Sequence, residues 1–335
     1  MLELRTVSRQ TGRVPLLSQA SLTFTRDMPT AVLGLSAEGR EGLIRLLSGV
    51  DKPQAGTVKL DGKDVSQARR DKGRIVRAGV SNLPRSGQKI SKLIGVSEAA
   101  RVRLSERMNA GVGDLDAEQR ARLAIAVARS GKPALILLEA PADGLEREVR
   151  DRFAADLGAM LADTGAVVVL VAGSADEAIG LGARAVVLDD GVVVQDGPAV
   201  DVASHPATLA SALATSFPAL NTLSMTLQDG RALLQDGSSF SPPADLPMPG
   251  DGFCTLAFRP EDTTLERAGA GCLRFVVREA GAETVGGRPF MRVSFAGTTW
   301  LTPQLAAQPP AGAVLNAFVD RGKLMTFDAS GRSVV

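Results

Sequence analysis

The chain has 335 residues, and at roughly 150 residues per domain this length predicts about two domains. Lys and Arg together number 38 and Asp and Glu 37, so the formal net charge is +1 and the chain lacks the global field that attracts nucleic acid or anionic lipid. The hydrophobic fraction of 44% and the charged fraction of 22% exclude an intrinsically disordered chain, because such chains are poor in apolar residues and strongly charged.

Cysteine usage and hydropathy predict an intracellular protein. The two cysteines, Cys254 and Cys272, lack the close spacing of a metal site or a disulfide framework, and the N-terminus shows no apolar signal core. The apolar run 166–172 is much shorter than the roughly 20 residues that a membrane-spanning helix needs. We therefore expect a protein of the reducing cytoplasm whose contact with a membrane depends on a partner.

The N-terminal part of the chain alternates short apolar runs with longer helical patterns. Residues 31–33, 134–138 and 166–171 are near-continuous apolar runs, which are typical of strands that are covered on both faces of a parallel sheet. Residues 146–161 place apolar side chains at spacings of three and four, the pattern of an amphipathic helix. This alternation predicts an α/β domain over residues 1–227.

Composition changes towards the C-terminus. Residues 228–252 are rich in Gly, Ser, Asp and Pro, as in a connector or a loosely structured entry to a second domain. Short alternating runs then follow at 273–277, 291–295 and 314–319, each bounded by Gly, Pro or Asp. We expect a small all-β barrel or sandwich over residues 228–335.

A glycine-rich segment follows the first predicted strand. Gly34 and Gly39, five residues apart, separate this strand from an apolar helix, the frame in which backbone N–H groups wrap a phosphate chain. That motif needs Lys and then Ser or Thr after its second glycine, whereas this chain has Arg40 and Glu41. A carboxylate about 5 Å from a phosphate charge repels it by roughly 3 kcal/mol at an effective dielectric of about 20. Taken alone, the segment indicates a structural strand-to-helix turn. Its candidate nucleotide-binding residues are Gly34, Ser36, Gly39, Arg40, Glu41 and Gly42.

Three further stretches carry a family pattern. Residues 46–65 are similar, in register and in their Pro, Gly and Asp-Gly positions, to the stretch after the phosphate loop in ATP-binding subunits of bacterial ABC importers. Residues 115–126 resemble the family's Leu-Ser-Gly-Gly-Gln-Arg signature and its helix, and residues 135–141 resemble its Walker B strand. The resemblance is strongest to the maltose, polyol and glycerol-3-phosphate group, and it implies a P-loop NTPase fold of the ABC type.

The same resemblance implies that the catalytic positions are substituted. Ala140 stands where the family has its catalytic Glu, and Gly173 where it has the switch His. Glu139 replaces the Asp that is linked to Mg²⁺, so that Glu41 and Glu139 are the candidate metal ligands. The only histidine, His205, lies far downstream. Because loss of a general base typically costs about 10²- to 10⁴-fold in rate, we expect ATP and Mg²⁺ to bind weakly and hydrolysis to be impaired.

The signature position permits two interpretations. Asp116 replaces the signature Ser, and with Gln119 three residues later it forms an N-capping pattern. In the first interpretation Asp116 accepts hydrogen bonds from the N–H groups that would otherwise face a partner subunit's nucleotide. In the second it is only a favourable helix start. Both residues are candidates for the nucleotide site.

The segment before the signature departs from the family. Asn82 stands where the family has its Q-loop Gln, and Thr11 where many relatives have an adenine-stacking aromatic residue. The helical subdomain, about residues 84–130, is shorter than is usual in the family. The missing length falls in the part that contacts the permease in the family, and this keeps open a pseudo-ATPase scaffold that is attached to no transporter.

The C-terminal region extends the resemblance. Residues 258–262 resemble the entry motif of the regulatory β-domain of importer ATPases, and residues 315–328 resemble its final strands. The implied fold is an OB-type barrel of the TOBE or MOP-like kind. We expect no nucleic-acid partner, because Trp300 is the only Trp, the chain has no Tyr, and single-strand binding requires a basic, aromatic face.

The sequence leaves three functions open. The first is a catalytically degenerate ATP-binding-type subunit of an importer for sugars, polyols or glycerol-like solutes, paired with an active paralogue. The second is an ATPase that drives import by slow hydrolysis, with Arg40 in place of Lys and Glu139 or Glu41 holding Mg²⁺, and the third is the unattached scaffold. The combined loss of Lys, Ser or Thr, Glu and His favours the first. Its implied partners are membrane permease subunits and a homologous ATP-binding subunit, in a homo- or heterodimer at the inner face of the cell membrane.

Overall fold

The computed structural model describes residues 1–84, 86–266, 269 and 271–334. The chain forms two compact units, Met1–His205 and Pro206–Val335, whereas the sequence placed the boundary at residues 227 and 228. The difference arises because the strand Asn221–Gln228 pairs antiparallel with the strand Gly252–Phe258, so its residues belong to the second unit. Residue 85, at the start of the predicted helical subdomain, lies outside the described residues.

The first unit contains strands and helices in alternation. The strands are β1 (Leu2–Thr11), β2 (Val14–Phe24), β3 (Thr30–Leu33), β4 (Ala55–Leu60), β5 (Lys63–Asp64), β6 (Ile75–Ala78), β7 (Leu135–Glu139), β8 (Val167–Val171), β9 (Arg184–Asp189) and β10 (Val192–Pro198). The α-helices are α1 (Ala37–Leu47), α2 (Val65–Ala68), α3 (Val96–Arg101), α4 (Ala117–Ser130), α5 (Arg147–Leu161), α6 (Ala175–Gly180) and α7 (Ala199–Ser204).

A six-stranded sheet in the order β10-β9-β3-β8-β7-β6 forms the centre of the first unit. Strands β9 to β6 pair in parallel, and β10 runs antiparallel to β9 at one edge. Strands β3, β7 and β8 are almost entirely buried, which confirms the three predicted apolar strands. Because they are parallel neighbours, their carboxyl ends lie at one edge of the sheet, where open α/β sheets bind ligands. That edge carries Gly34, Ala140 and Gly173.

An antiparallel sheet in the order β2-β1-β4-β5 completes the core of the first unit. Leu2 of β1 lies opposite Phe24 of β2 and Leu60 of β4, and these side chains pack in one hydrophobic cluster with residues of α1 and the six-stranded sheet. Helix α5 buries Phe153 and Leu157, which confirms the helix predicted over 146–161. No helix within the described part of the chain is long and apolar enough to cross a membrane.

Short helical segments join β6 to α4. Besides α3, this region has 3-10 turns at Val80–Asn82, Ile90–Lys92, Ser105–Arg107 and Val112–Asp114. Helix α4 follows and is buried on all sides over residues 121–126, which include Leu123 and Ile125. Between β6 and β7, the described residues thus form 3-10 turns, the six-residue helix α3 and the 14-residue helix α4.

The second unit consists mainly of two five-stranded sheets. Its elements are α8 (Leu209–Ala214), β11 (Asn221–Gln228), β12 (Arg231–Leu234), β13 (Ser239–Phe240), β14 (Gly252–Phe258), β15 (Thr263–Thr264), β16 (Cys272–Val285), β17 (Arg288–Phe295), β18 (Thr298–Pro303), β19 (Val314–Asp320) and β20 (Met325–Phe327). The sheet orders are β13-β12-β11-β14-β20 and β15-β19-β16-β17-β18. The predicted strands at 273–277, 291–295 and 314–319 are confirmed as parts of β16, β17 and β19, and the C-terminal β fold is confirmed with them.

Aromatic packing fills the centre of the second unit. Trp300 is 1% exposed and meets Phe258 and Phe275 edge to face, with ring centroids 5.0 and 5.1 Å apart. Its indole Nε1–H donates to the carbonyl oxygen of Thr222 at 2.9 Å. Trp300 is therefore a core residue and offers no stacking surface for a base.

Candidate functional site

The glycine-rich turn is closed by its own hydrogen bonds. Gly34 follows β3 with φ +87°, and a Cβ on it would lie 2.1 Å from the carbonyl oxygen of Leu188, so only glycine fits there. Helix α1 then begins at Ala37 with Ser36 as its N-cap. The N–H of Gly39 donates to Ser36 Oγ at 3.1 Å, and the N–H of Arg40 donates to the carbonyl oxygen of Ser36 at 2.8 Å. The sequence located a helix only after Gly42, whereas α1 extends back over the turn.

This closure changes what the turn can bind. A phosphate-binding loop presents unpaired backbone N–H groups to the phosphate chain. Here the N–H groups of Gly39 and Arg40 have intramolecular partners, and Gly42 faces Thr11, whose Oγ1 lies 2.6 Å from the place of a Cβ on Gly42. The predicted nucleotide-binding residues are thus brought together, but in a turn where the N–H groups of Gly39 and Arg40 already donate to Ser36.

A cavity of about 210 Å³ lies beside the turn, between the β1–β2 turn and the end of β9. Its lining includes Thr11, Ser36 and Gly39, together with three acidic residues, Glu38, Asp189 and Asp190. Carboxylates repel phosphate charges that come close to them. The acidic lining of this cavity is therefore unfavourable for a phosphate chain.

The two candidate metal ligands share one arginine. Arg77 on β6 donates through Nη1 to Glu41 Oε1 at 3.2 Å, and its Nη2 also bonds Glu41 and Glu139. Strand β6 pairs in parallel with β7, so that Arg77 lies opposite Leu137, two residues before Glu139. Partial burial would lower the pKa of Arg77, but the hydrogen bonds and charges of the two carboxylates outweigh it and hold that pKa above its ordinary value. Sequence reasoning missed Arg77.

A magnesium ion does not fit this arrangement. Mg²⁺ needs free oxygen lone pairs in near-octahedral geometry, and three of the four carboxylate oxygens of Glu41 and Glu139 accept hydrogen bonds from the guanidinium of Arg77. In the part of the chain that the structure describes, no group of three or more His, Cys, Asp or Glu residues could hold a metal. The predicted metal ligands therefore come together around an organic cation.

The two residues that the resemblance predicts at catalytic positions, Ala140 and Gly173, also lie close together. A Cβ on Gly173 would lie 3.0 Å from the Cβ of Ala140 and 2.8 Å from Asp143 Oδ1. Ala140 follows β7 in the left-handed region, with φ +34°. Arg40 points to this cluster, since its Nη2 donates to Asp143 Oδ2 at 3.2 Å. The residue in the Lys position of the phosphate loop is thus paired with a protein carboxylate.

A buried glutamate that sequence reasoning missed fixes this cluster. Glu177 on α6 is 1% exposed and accepts hydrogen bonds from the N–H groups of Ala142 and Gly173, both at 2.8 Å. Burial raises the pKa of Glu177 above its ordinary value, although these N–H groups stabilise the charged form. Glu177 therefore ties the segments after β7 and β8 to α6.

The signature segment has the predicted cap. Gln119 donates its N–H to Asp116 Oδ1 at 2.8 Å, and the N–H of Asp116 donates to Gln119 Oε1 at 3.3 Å. This reciprocal pair starts α4 at Ala117, so the capping pattern read from the sequence is present. Whether it also competes with a partner's nucleotide stays a hypothesis.

Asn82 lies next to the cluster of Arg77, Glu41 and Glu139. Its side-chain Nδ2 donates to the carbonyl oxygen of Arg77 at 2.9 Å. The residue in the Q-loop position is exposed and supports the backbone next to the Arg77 cluster.

Known proteins share this fold. Residues 17–143 match the family model described as ABC transporter. A sulfate/thiosulfate import ATP-binding protein of Chromobacterium violaceum is 28% identical over 282 residues, with 79% of this chain and 76% of the relative covered. A putrescine transport ATP-binding protein of Escherichia coli is 28% identical over 225 residues, with 62% of this chain and 60% of the relative covered. The chain thus spans less than two thirds of the second relative.

A solved structure supports the same fold assignment. The cbiO1 subunit from Clostridium perfringens, part of an ABC transporter complex, superposes with a TM-score of 0.53 at 19% identity, over 61% of this chain and 90% of that one. At this identity the likeness concerns the fold alone. The chain therefore has the P-loop NTPase fold of ABC ATPases, and its residues 17–143 match the model of the ABC transporter family.

Proposed function

We propose that the chain is an ATP-binding-type subunit of an ABC importer that does not itself hydrolyse ATP and that pairs with a homologous, active subunit. The two relatives are named for import or transport of sulfate/thiosulfate and of putrescine, which supports the importer class. The sugars, polyols or glycerol-like solutes that the sequence resemblance implies stay a prediction, because neither relative is named for them.

The closed phosphate loop carries this proposal. The N–H groups of Gly39 and Arg40, which a phosphate chain would need, are bonded to Ser36. To bind a nucleotide, the first turn of α1 would have to break these bonds and bring phosphates towards Glu38 and Glu41. Breaking the bonds and approaching the carboxylates both weaken nucleotide binding. The family motif avoids both costs, because its loop presents free N–H donors and a Lys.

The remaining chemistry supports the same proposal. The methyl group of Ala140 and the hydrogen of Gly173 cannot accept a proton from water, and general-base catalysis requires such a group within hydrogen-bond reach. The carboxylate of Asp143, whose Oδ1 lies 2.8 Å from the place of a Cβ on Gly173, is paired with Arg40. The slow-ATPase alternative would have to use Asp143 as the base after breaking that pair.

In this role the chain would act as a structural partner of the active subunit. Its caps and ion pairs fix α1 and α4 without a nucleotide, so the unit can support a partner subunit and pass on its motion without turnover. We place it at the inner face of the cell membrane, against permease subunits, with the homologous subunit beside it. The unattached scaffold differs from this function in one respect, namely that it would not be bound to permease subunits.

Two assays of the full chain test the proposal. Purified alone, the chain should release no phosphate from Mg-ATP above background, and its variant Glu139→Gln should behave identically. Turnover by the wild type that Glu139→Gln or Asp143→Asn abolishes would establish the slow ATPase instead. Tagged in its native host, the chain should co-purify from detergent-solubilised membranes with a homologous subunit whose phosphate loop has Lys and Ser or Thr. Recovery without such a subunit would support the unattached scaffold.

A further inference from the structure

Arg77 stands between two carboxylates that belong to different elements of the first unit. Glu41 lies on α1 and Glu139 ends β7, 98 positions later in the chain. The guanidinium of Arg77 bonds both, with Nη1 to Glu41 Oε1 at 3.2 Å and Nη2 shared between the two side chains. One cation therefore joins the helix after the phosphate loop to the Walker B strand.

The geometry is that of a cation site. Two carboxylates that approach one another repel unless a positive charge lies between them. A guanidinium suits this place because its planar fork offers several donors and stays charged at all physiological pH values. The side chains are partly sheltered, with 35% of Arg77, 42% of Glu41 and 22% of Glu139 exposed. Their mutual attraction is therefore screened less than that of a fully exposed pair.

The same two positions correspond, by the sequence resemblance, to the residues that hold Mg²⁺ in family ATPases. A hydroxyl at position 41 would leave room for a metal, whereas the carboxylate of Glu41 reaches the guanidinium of Arg77. The substitution at position 41 and the presence of Arg77 thus act together. An isolated loss of the metal ligand would not need a compensating cation.

We propose that Arg77 is the resident cation of this site, which joins α1 to β7 in place of a divalent metal and excludes that metal. This inference rests on the proposed function, because it addresses the same site. It differs in that it describes how the site binds a cation when no nucleotide is present. It follows that removal of the guanidinium should leave a pair of carboxylates able to take a hard divalent cation, since Mg²⁺ and Mn²⁺ are bound through one or two carboxylates and water.

The test is a Mn²⁺ titration of the nucleotide-free full chain, followed by electron paramagnetic resonance of the unbound ion. Wild type should leave the signal of free Mn²⁺ unchanged, and Arg77→Met should remove one equivalent. Arg74→Met is the matched control, since Arg74 pairs with Asp61 instead and its loss should create no Mn²⁺ site. Addition of Glu139→Gln to Arg77→Met should abolish the gained binding. Stoichiometric binding by the wild type that Glu139→Gln removes would overturn the proposal.

Thermal unfolding supplies a second readout. Arg77→Met should unfold at a lower temperature in EDTA than the wild type and should recover part of the loss on addition of Mg²⁺, while the wild type and Arg74→Met should be insensitive to Mg²⁺. The double variant Glu41→Gln, Glu139→Gln should tolerate Arg77→Met, because no carboxylate pair remains to repel. If Arg77→Met neither binds Mn²⁺ nor unfolds at a lower temperature, Arg77 is not the cation that holds these elements. Phosphate release from Mg-ATP is not measured in these experiments, so failure of the inference is distinguishable from failure of the proposed function.

Discussion

Asp143 Oδ1 lies 2.8 Å from the place that a Cβ on Gly173 would take. The carboxylate therefore fills the space of a side chain at the switch position, and Arg40 holds it there through a hydrogen bond of 3.2 Å to its other oxygen. By the sequence resemblance, Gly173 stands at the switch His position and Arg40 at the Lys position of the phosphate loop, and Asp143 connects the two because it lies against Gly173 and pairs with Arg40.

A methyl group at residue 173 should be destabilising. Gly173→Ala would press on the carboxylate of Asp143 and on Ala140, whose Cβ lies 3.0 Å from the new atom. Because Gly173 is exposed and the Asp143 side chain, 60% exposed, can turn away, the loss should stay below the roughly 1–3 kcal/mol that overpacking of a core costs. Gly131→Ala is the control, since no atom lies within 4 Å of its Cβ. Urea unfolding of both variants measures the difference. Equal stability would show that Asp143 moves away freely.

The cap of α4 should contribute measurably to stability. Asp116→Ala removes the acceptor of the Gln119 N–H, and loss of an N-cap side chain costs about 0.5–2 kcal/mol. Asp116→Ser keeps a capping oxygen and should retain most of the free energy of unfolding. A loss equally large in both variants would point to a role of the carboxylate other than capping.

The buried arginine of α4 should matter more than its exposed neighbour. The side chain of Arg122 is 4% exposed and pairs with Glu118 and Asp156, and removal of one partner of a buried pair costs about 3–5 kcal/mol. Arg152 contacts the same Glu118 from a side chain that is 55% exposed, so Arg152→Ala should cost far less than Arg122→Ala. Denaturant unfolding of the two variants gives the comparison, and similar losses would contradict the assigned burial.

Glu177 should make stability depend on pH with a defined sign. Its pKa in the folded chain is raised by burial, so the folded state retains this proton to higher pH than the unfolded state. The contribution is fully present below the unfolded pKa and is lost as the pH rises through the folded pKa. The wild type should therefore lose stability relative to Glu177→Gln as the pH rises from the ordinary glutamate range. Unfolding free energies of both proteins from pH 5 to pH 8 measure this, and a constant difference would exclude the raised pKa.

Local patterns predicted much of the fold. Strands β3, β7 and β8 and helix α5 follow from apolar runs and helical spacing, and the Asp116–Gln119 cap follows from two residues three positions apart. These features depend on interactions within one element, which the sequence shows directly.

The contacts of the site depend on residues distant in sequence. Arg77 meets Glu139 only because β6 pairs with β7, and Glu177 reaches Ala142 across 35 positions. Their signal in the sequence was weak, since an Arg in a strand and a Glu in a helix are common. The early start of α1 was missed for another reason. Glycines favour a loop in the sequence pattern, whereas the cap that Ser36 supplies lets α1 begin at Ala37.

Calorimetric titration of the full chain with Mg-ATP tests the central claim, which is that the site is closed to the nucleotide. The variant Arg40→Lys, Glu41→Ser, which restores the phosphate-loop motif, is the comparison. The wild type should give no heat of binding, and this variant should give a measurable heat. Saturable binding of Mg-ATP by the wild type with a micromolar Kd would contradict this claim, because the closed loop, its carboxylates and Arg77 would then not exclude the nucleotide.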